Sequence, residues 1–184
     1  MKRILIASSK GGAGKSTTAL LLTVALRRAG HKVRVEDKDP QGTLTRGLER
    51  NGGNEDPKAT YTIIDVAPRH EHLEGEIANA SLTLVPLAPT MSDIWATLDW
   101  TAKMKDRKGD IRLLWNRVRQ GVGIHTEDKL EEFRAKIKLP AMKTRLQLRA
   151  SYDVPLSLGG WKALNTPAKE EALTLVCEVR DILG

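Results

Sequence analysis

A single cysteine, Cys177, stands in the sequence, so no intramolecular disulfide staples the fold, in keeping with a reducing compartment. No apolar run approaches the roughly 18 residues that a membrane-spanning helix requires. The apolar opening ILIAS is too short for a signal peptide and leads straight into a glycine-rich stretch. Internal repeats and low-complexity segments are also missing. What remains is 184 residues, 40% apolar and 29% charged, the composition of a soluble globular protein long enough to bury a core. Acidic charge is in short supply: 23 Asp and Glu face 30 Lys and Arg, a net charge of +7. That surplus favours polyanionic partners, nucleic acid before anionic membrane, and by itself establishes neither. The expectation is a basic cytoplasmic protein folded as one domain over residues 1–184.

Short apolar runs alternate with helical stretches, which predicts an α/β fold with a mainly parallel twisted sheet flanked by helices. Strands are expected at 3–8, 31–37, 61–66, 82–87 and 111–118, and helices at 15–29, 92–106 and 126–138. A last helix is expected to take Thr166 as its N-cap and Pro167 as its first residue. The stretch ERNGGNEDPK (49–58) has almost nothing to bury and reads as a surface loop. In HKVRVED, Lys32, Arg34 and Glu36 alternate with Val33 and Val35, so one face of that strand is wet or the strand lies at the sheet's edge.

Between the first strand and the first helix stands SSKGGAGKST. The common phosphate-loop pattern, G-x-x-x-x-G-K-[ST], requires a glycine five positions before Gly14; Ser9 stands there instead, followed by Lys10. Gly11, Gly12, Ala13 and Gly14 let the backbone fold close around phosphate oxygens, with N–H groups and the helix dipole favouring the anion. Lys15 would reach the β- and γ-phosphates, and the Ser16 hydroxyl would ligate Mg²⁺. An NTPase also needs carboxylates. Asp65 closes the apolar strand YTIIDV, aimed at the end of the sheet where open α/β folds bind ligands, and would hold the hydration shell of Mg²⁺. Asp37 and Asp39, in EDKDPQ, are candidates to position the attacking water, although Asp39-Pro40 also reads as a simple turn.

With KGGAGKST, DKDPQGTLT, YTIIDVAP, LVPLAPT and TRLQLRASYDVPLSLGG (144–160) in order along nearly the whole chain, the sequence resembles the ParA/MinD family of deviant-Walker ATPases, with a P-loop NTPase fold. It looks most similar to the short plasmid-partition members, with no room for an N-terminal helix-turn-helix extension. The resemblance implies that Lys10 crosses to the other subunit and touches the nucleotide bound there, making ATP the cement of a homodimer. A triphosphate desolvated between subunits needs more cation than one lysine and one Mg²⁺. It further implies that Lys15, Ser16 and Thr17 bind phosphate and metal, that Asp39 orients the hydrolytic water, and that Asp37 and Asp65 lie on the metal side. Asn116 would read the adenine edge, since its amide both donates and accepts, and Pro89 in PLAPT would line the pocket. Three departures stand out: Ser8-Ser9 before the loop, a short connection between Gln41 and Tyr61 that predicts a lost helix or strand, and VAPRHEHLEG after Asp65 in place of a small, Ser/Gly-rich segment.

Members of this family bind either nonspecific DNA or membrane. The C-terminal segment spaces Leu173, Val176, Val179 and Ile182 helically but carries Glu170, Glu171, Glu178 and Asp181, so it reads as a core helix and excludes a membrane partner. For DNA, the candidate cations are Lys103, Lys105, Arg107 and Lys108; Arg134, Lys136 and Lys138; and Lys143, Arg145 and Arg149. Arg149 falls where the family's DNA-binding arginine sits. Trp95 is expected in the core; Trp161, in a loop after Gly159-Gly160, is only a minor candidate for a partner contact. The resemblance implies slow hydrolysis stimulated by a ParB-like or other cargo adaptor, and association of the ATP state with the nucleoid. Rival readings are a positioning ATPase for a protein cargo (carboxysome or chemoreceptor cluster), a small-molecule P-loop kinase or ligase, and a non-hydrolysing nucleotide switch.

Overall fold

Strands form where apolar residues run uninterrupted between Gly, Pro and Asp. The computed structural model describes residues 1–53, 56–68, 72–103, 109–119, 123 and 126–184. Five strands, β1 (Lys2–Ile6), β2 (Val33–Lys38), β3 (Tyr61–Val66), β4 (Leu82–Leu87) and β5 (Ile111–Trp115), pair in parallel in the order β2-β3-β1-β4-β5. Between and after them run α1 (Lys15–Arg28), α2 (Thr43–Glu49), α3 (Leu73–Asn79), α4 (Met91–Lys103), α5 (Glu127–Ile137), α6 (Val154–Ala163) and α7 (Thr166–Leu183).

Alternate strand residues face opposite sides of the sheet, as the pleat demands. Ile4, Ile6, Tyr61, Ile63, Leu82 and Leu84 enter one core with α1, α2, α6 and α7. Leu5, Ile64, Val66, Val85, Leu87 and Trp115 enter the other, with Ile77 of α3, Ile94 of α4 and Phe133 of α5. The central strands β3 and β4 are buried at every residue. β2 buries only Val33 and Val35, and its charged alternation fits its place at the sheet edge. Beyond β5, residues 140–148 run alongside as an irregular strand-like segment, with Leu113 N donating to Pro140 O and Met142 N to Leu113 O at 2.8 Å each.

Several expectations change. α2 occupies the shortened Gln41–Tyr61 connection, so a helix survives there. Trp161, expected in a loop, lies on α6, which is merged across a kink at Gly160. α7 is capped by Asn165, whose side chain accepts from Ala168 N at 3.1 Å, and Thr166 is its first residue. Trp95, expected in the core, is 59% exposed on α4; Trp115 is the fully buried tryptophan. Leu173 is also exposed, because α7 turns Leu175, Val176 and Val179 inward. Among the described residues no helix is long and apolar enough to cross a membrane.

Candidate functional site

β1 ends at Ile6 and α1 begins at Lys15, so residues 7–14 turn over the carboxyl end of the sheet. Gly12 (φ 77°) and Gly14 (φ 91°) take left-handed backbone that a side chain disfavours. A Cβ on Gly14 would also stand 2.2 Å from Asn116 Nδ2. Gly14 caps α1 without a side-chain hydrogen bond, which leaves the helix's first N–H groups to an outside acceptor. Lys15, the first helical residue, is only 6% exposed, and its ammonium lies 3.4 Å from Lys10 O. Burial lowers its pKa, and the nearby Asp65 and Asp39 carboxylates oppose that shift.

Parallel register sets Asp65 of β3 level with Asp37 of β2 and Ile6 of β1. Asp65 is fully buried, and neither oxygen has a partner at hydrogen-bonding geometry. Its carboxyl is pushed up to about 6, chiefly by burial and also by Asp37 and Asp39; the nearby Ser16 hydroxyl and the Lys15 ammonium pull it back. Two orphaned oxygens beside a hydroxyl and a phosphate-type loop suit a hard cation and its water shell. No group of three or more His, Cys, Asp or Glu among the described residues makes a protein-only cage. Such a set fits Mg²⁺, which takes one or two carboxylates, waters and substrate phosphates. Ser16 and Asp65 therefore fit the metal role.

Asp37 does not offer itself in the same way. Its Oδ2 accepts from Thr45 N (2.9 Å) and Thr45 Oγ1 (3.0 Å), and its Oδ1 accepts from Asp39 N (3.2 Å). It holds the start of α2 against the strand end instead of facing an open site. Asp39 turns the chain, its Oδ1 accepting from Gln41 N at 3.0 Å, yet it acts electrostatically on both Lys15 and Asp65. Lys10 is the unexpected feature: its ammonium bonds to Asp93 Oδ1 and, at 2.9 Å, to Ser92 Oγ, both at the start of α4 of the same chain.

Beside Gly14 and Thr17 opens a cavity of about 350 Å³, whose walls include Asn116, Arg117, Gln147 and Asp153. The Asn116 amide expected to read a base edge is committed within the protein: Nδ2 donates to Ala13 O (3.1 Å) and Oδ1 accepts from Arg117 N (2.8 Å). Pro89 is buried and is not one of the cavity's lining residues. The cations expected to meet DNA are mostly paired. Arg149 lies on Glu171, Arg145 on Glu127, Arg134 on Glu131 and Lys136 on Glu132. Arg149 is also half-buried beside Tyr152, because Glu171 gathers both. Lys143 is exposed, and so is Lys103; Lys105, Arg107 and Lys108 lie outside the described residues. Trp161 is half-buried on α6 against the core. Sequence reasoning missed Ser92 and Asp93, whose Ser-Asp pair opening a helix reads as ordinary capping chemistry.

The nucleotide-binding domain of CobQ, CobB, MinD and ParA matches residues 4–154. A ParA from Rhizobium radiobacter is 33% identical over 116 residues, 50% of this chain and 51% of that protein. The chromosome-partitioning ATPase Soj of Thermus thermophilus is 50% identical over 48 residues, 26% of this chain and 19% of that protein. The chain thus matches about a fifth to a half of these curated relatives. Among solved structures, a chain of the MinC:MinD cell division protein complex of Aquifex aeolicus superposes with a TM-score of 0.78 at 14% identity, covering 98% of this chain and 96% of that one. MinD from Pyrococcus horikoshii with Mg-ADP gives 0.76 at 16%, covering 100% and 97%. The pNOB8 ParA bound to nonspecific DNA gives 0.70 at 17%, covering 98% and 99%. The glycine loop, the buried strand-end aspartate and this match over most of the chain place the protein in the CobQ/CobB/MinD/ParA nucleotide-binding family.

Proposed function

We propose that this chain is a ParA-like ATPase of DNA or cargo partition, which Mg-ATP assembles into a dimer that binds nonspecific DNA. One observation carries it: a buried Lys15 between Asp65 and Asp39 at a glycine loop, with a second lysine, Lys10, at the loop's mouth. The loop N–H groups and Lys15 hold the phosphates, with the base in the cavity beside Gly14 and Thr17. Ser16 and Asp65 hold Mg²⁺, which when bound neutralises charge on the β- and γ-phosphates. Asp39 orients the attacking water. Lys10 leaves Asp93 to meet the nucleotide of the other subunit. Slow intrinsic hydrolysis, stimulated by an adaptor such as a ParB-like protein, completes the reading.

That the DNA-bound relative is a ParA, and that another neighbour holds Mg-ADP, supports DNA and Mg-nucleotide as ligands here. Light scattering with ADP, ATP and a slowly hydrolysed analogue tests the switch. Only the triphosphates should double the mass, and Lys15→Ala and Lys10→Ala should each abolish the doubling. A mass indifferent to nucleotide removes the dimer switch and redirects attention to a small-molecule acceptor.

A further inference from the structure

α1, α2 and α6 pack against one another and end at the same place. There lies a cleft of about 340 Å³ lined by Arg27, Arg28, Arg50, Asn51, Trp161 and Lys162, with no carboxylate in its walls among the described residues. Its floor is fixed. The Arg27 guanidinium donates to the carbonyls of Asn51 (2.7 Å), Gly53 (2.8 Å) and Val33 (3.1 Å). Asn51 Nδ2 donates to Gly47 O (2.6 Å) and Ser157 O (3.4 Å), tying the end of α2 to α6. Gly160, at φ 54°, makes room for it, since a Cβ there would stand 2.0 Å from Asn51 Oδ1. On the rim Arg28, Arg50 and Lys162 stand exposed without an ion-pair or hydrogen-bond partner among the described residues.

Elsewhere Arg134, Lys136, Arg145 and Arg149 lie on glutamates, whereas these three cations share one cleft. Helix dipoles account for single cations at C-termini but not for an unpaired group of them. Three helix ends supply about −1.5 charges together, half of the +3 carried by Arg28, Arg50 and Lys162. Arg27 is spent on the carbonyls of Asn51, Gly53 and Val33, with Asp56 near enough to act on it. A net positive rim faces solvent.

We propose that this cleft is the DNA-phosphate site, with Arg28, Arg50 and Lys162 contacting the duplex backbone and Trp161 forming a rigid wall. The proposal rests on the DNA-binding function above and gives it a surface other than Arg149. A lipid surface is the weaker fit: Trp161 is packed on the core, and the exposed Val154 and Leu158 of α6 do not line the cleft. Backbone contacts of this kind are indifferent to sequence and sensitive to salt.

The test is fluorescence anisotropy on a short duplex of arbitrary sequence, with Mg²⁺ and the slowly hydrolysed analogue, across a salt series. Arg28→Ala/Arg50→Ala/Lys162→Ala should lower affinity by about tenfold or more and reduce the salt slope by about one for each lost contact. Its analogue-dependent mass should match wild type, and Arg134→Ala/Lys136→Ala should bind as wild type does. If wild type binds duplex and the triple variant binds it equally, the site assignment fails while the DNA function stands. If wild type binds no duplex, both fail. Loss of binding to phosphatidylglycerol–phosphatidylcholine vesicles in the triple variant, with DNA binding intact, would make the cleft a lipid site and overturn the proposal.

Discussion

The Lys10 ammonium lies on the Asp93 carboxylate of its own chain, with the Ser92 hydroxyl as a second partner. Lys10 is 41% exposed and Asp93 9% exposed, so the pair is half-wet and contributes about 0.2–1 kcal/mol. A dimer that takes Lys10 from both subunits breaks two such pairs. Asp93→Asn should therefore tighten analogue-dependent dimerisation by about two- to thirty-fold, read by analytical ultracentrifugation. Weaker dimerisation in this variant would mean that Asp93 positions Lys10 for its partner and does not restrain it.

Asp65 gives a pH signature to the nucleotide-free protein. Its carboxyl rises from 3.8 to about 6 on folding, so its contribution to stability is complete below pH 4 and is lost as pH rises through about 6. At neutral pH the buried charge costs roughly 3 kcal/mol. Asp65→Asn should stabilise the apo-protein by up to about that amount above pH 7, with the two melting curves converging near pH 4. A variant less stable than wild type at pH 7 would show that the carboxylate finds compensation when ionised.

Gly14 and Asn116 interlock. Gly14→Ala meets both a left-handed φ of 91° and the Asn116 amide at 2.2 Å. Nucleotide binding should be lost, with destabilisation of about 1–3 kcal/mol. Adding Asn116→Ala relieves the contact but not the backbone, so thermal melts should show only partial recovery. Full recovery would place the whole effect in the side-chain clash.

Arg149 and Glu171 form a half-buried unit with Tyr152, whose hydroxyl donates to Glu171 Oε2 at 2.8 Å, and whose own ionisation burial opposes. Arg149→Ala and Glu171→Ala should each lower stability, by about 1–3 kcal/mol, with strong coupling in the double mutant. Independent, additive effects would release Arg149 from its structural role.

The sheet was legible because its signals are local: YTIIDV and LTLVPL form strands with the expected boundaries, and the glycine loop falls between strand and helix. The carboxylates divided by environment. Asp65 ends a strand buried on both faces, and its isolation follows from that, whereas the commitment of Asp37 to Thr45 depends on α2, which the short Gln41–Tyr61 connection concealed. Trp95 went wrong because helical spacing finds a stripe without saying which side of it is covered. The cations misled for a related reason: their glutamate partners are distant in sequence, as with Arg149 and Glu171, or look like helix-surface decoration, as with Arg134 and Glu131. Lys10 and Asp93 lie on different elements, and no local pattern joins them.

The sheet's two borders limit how this protein can associate. On one side β2 presents Arg34, Glu36 and Lys38, with Glu36 on Arg3 and Lys38 on Glu76. On the other, residues 140–148 already satisfy the backbone of β5. A newcomer strand would have to strip water from charge on one flank or displace a bonded neighbour on the other. Edge-to-edge strand pairing is disfavoured at both borders, so copies that associate would meet through other faces of the molecule.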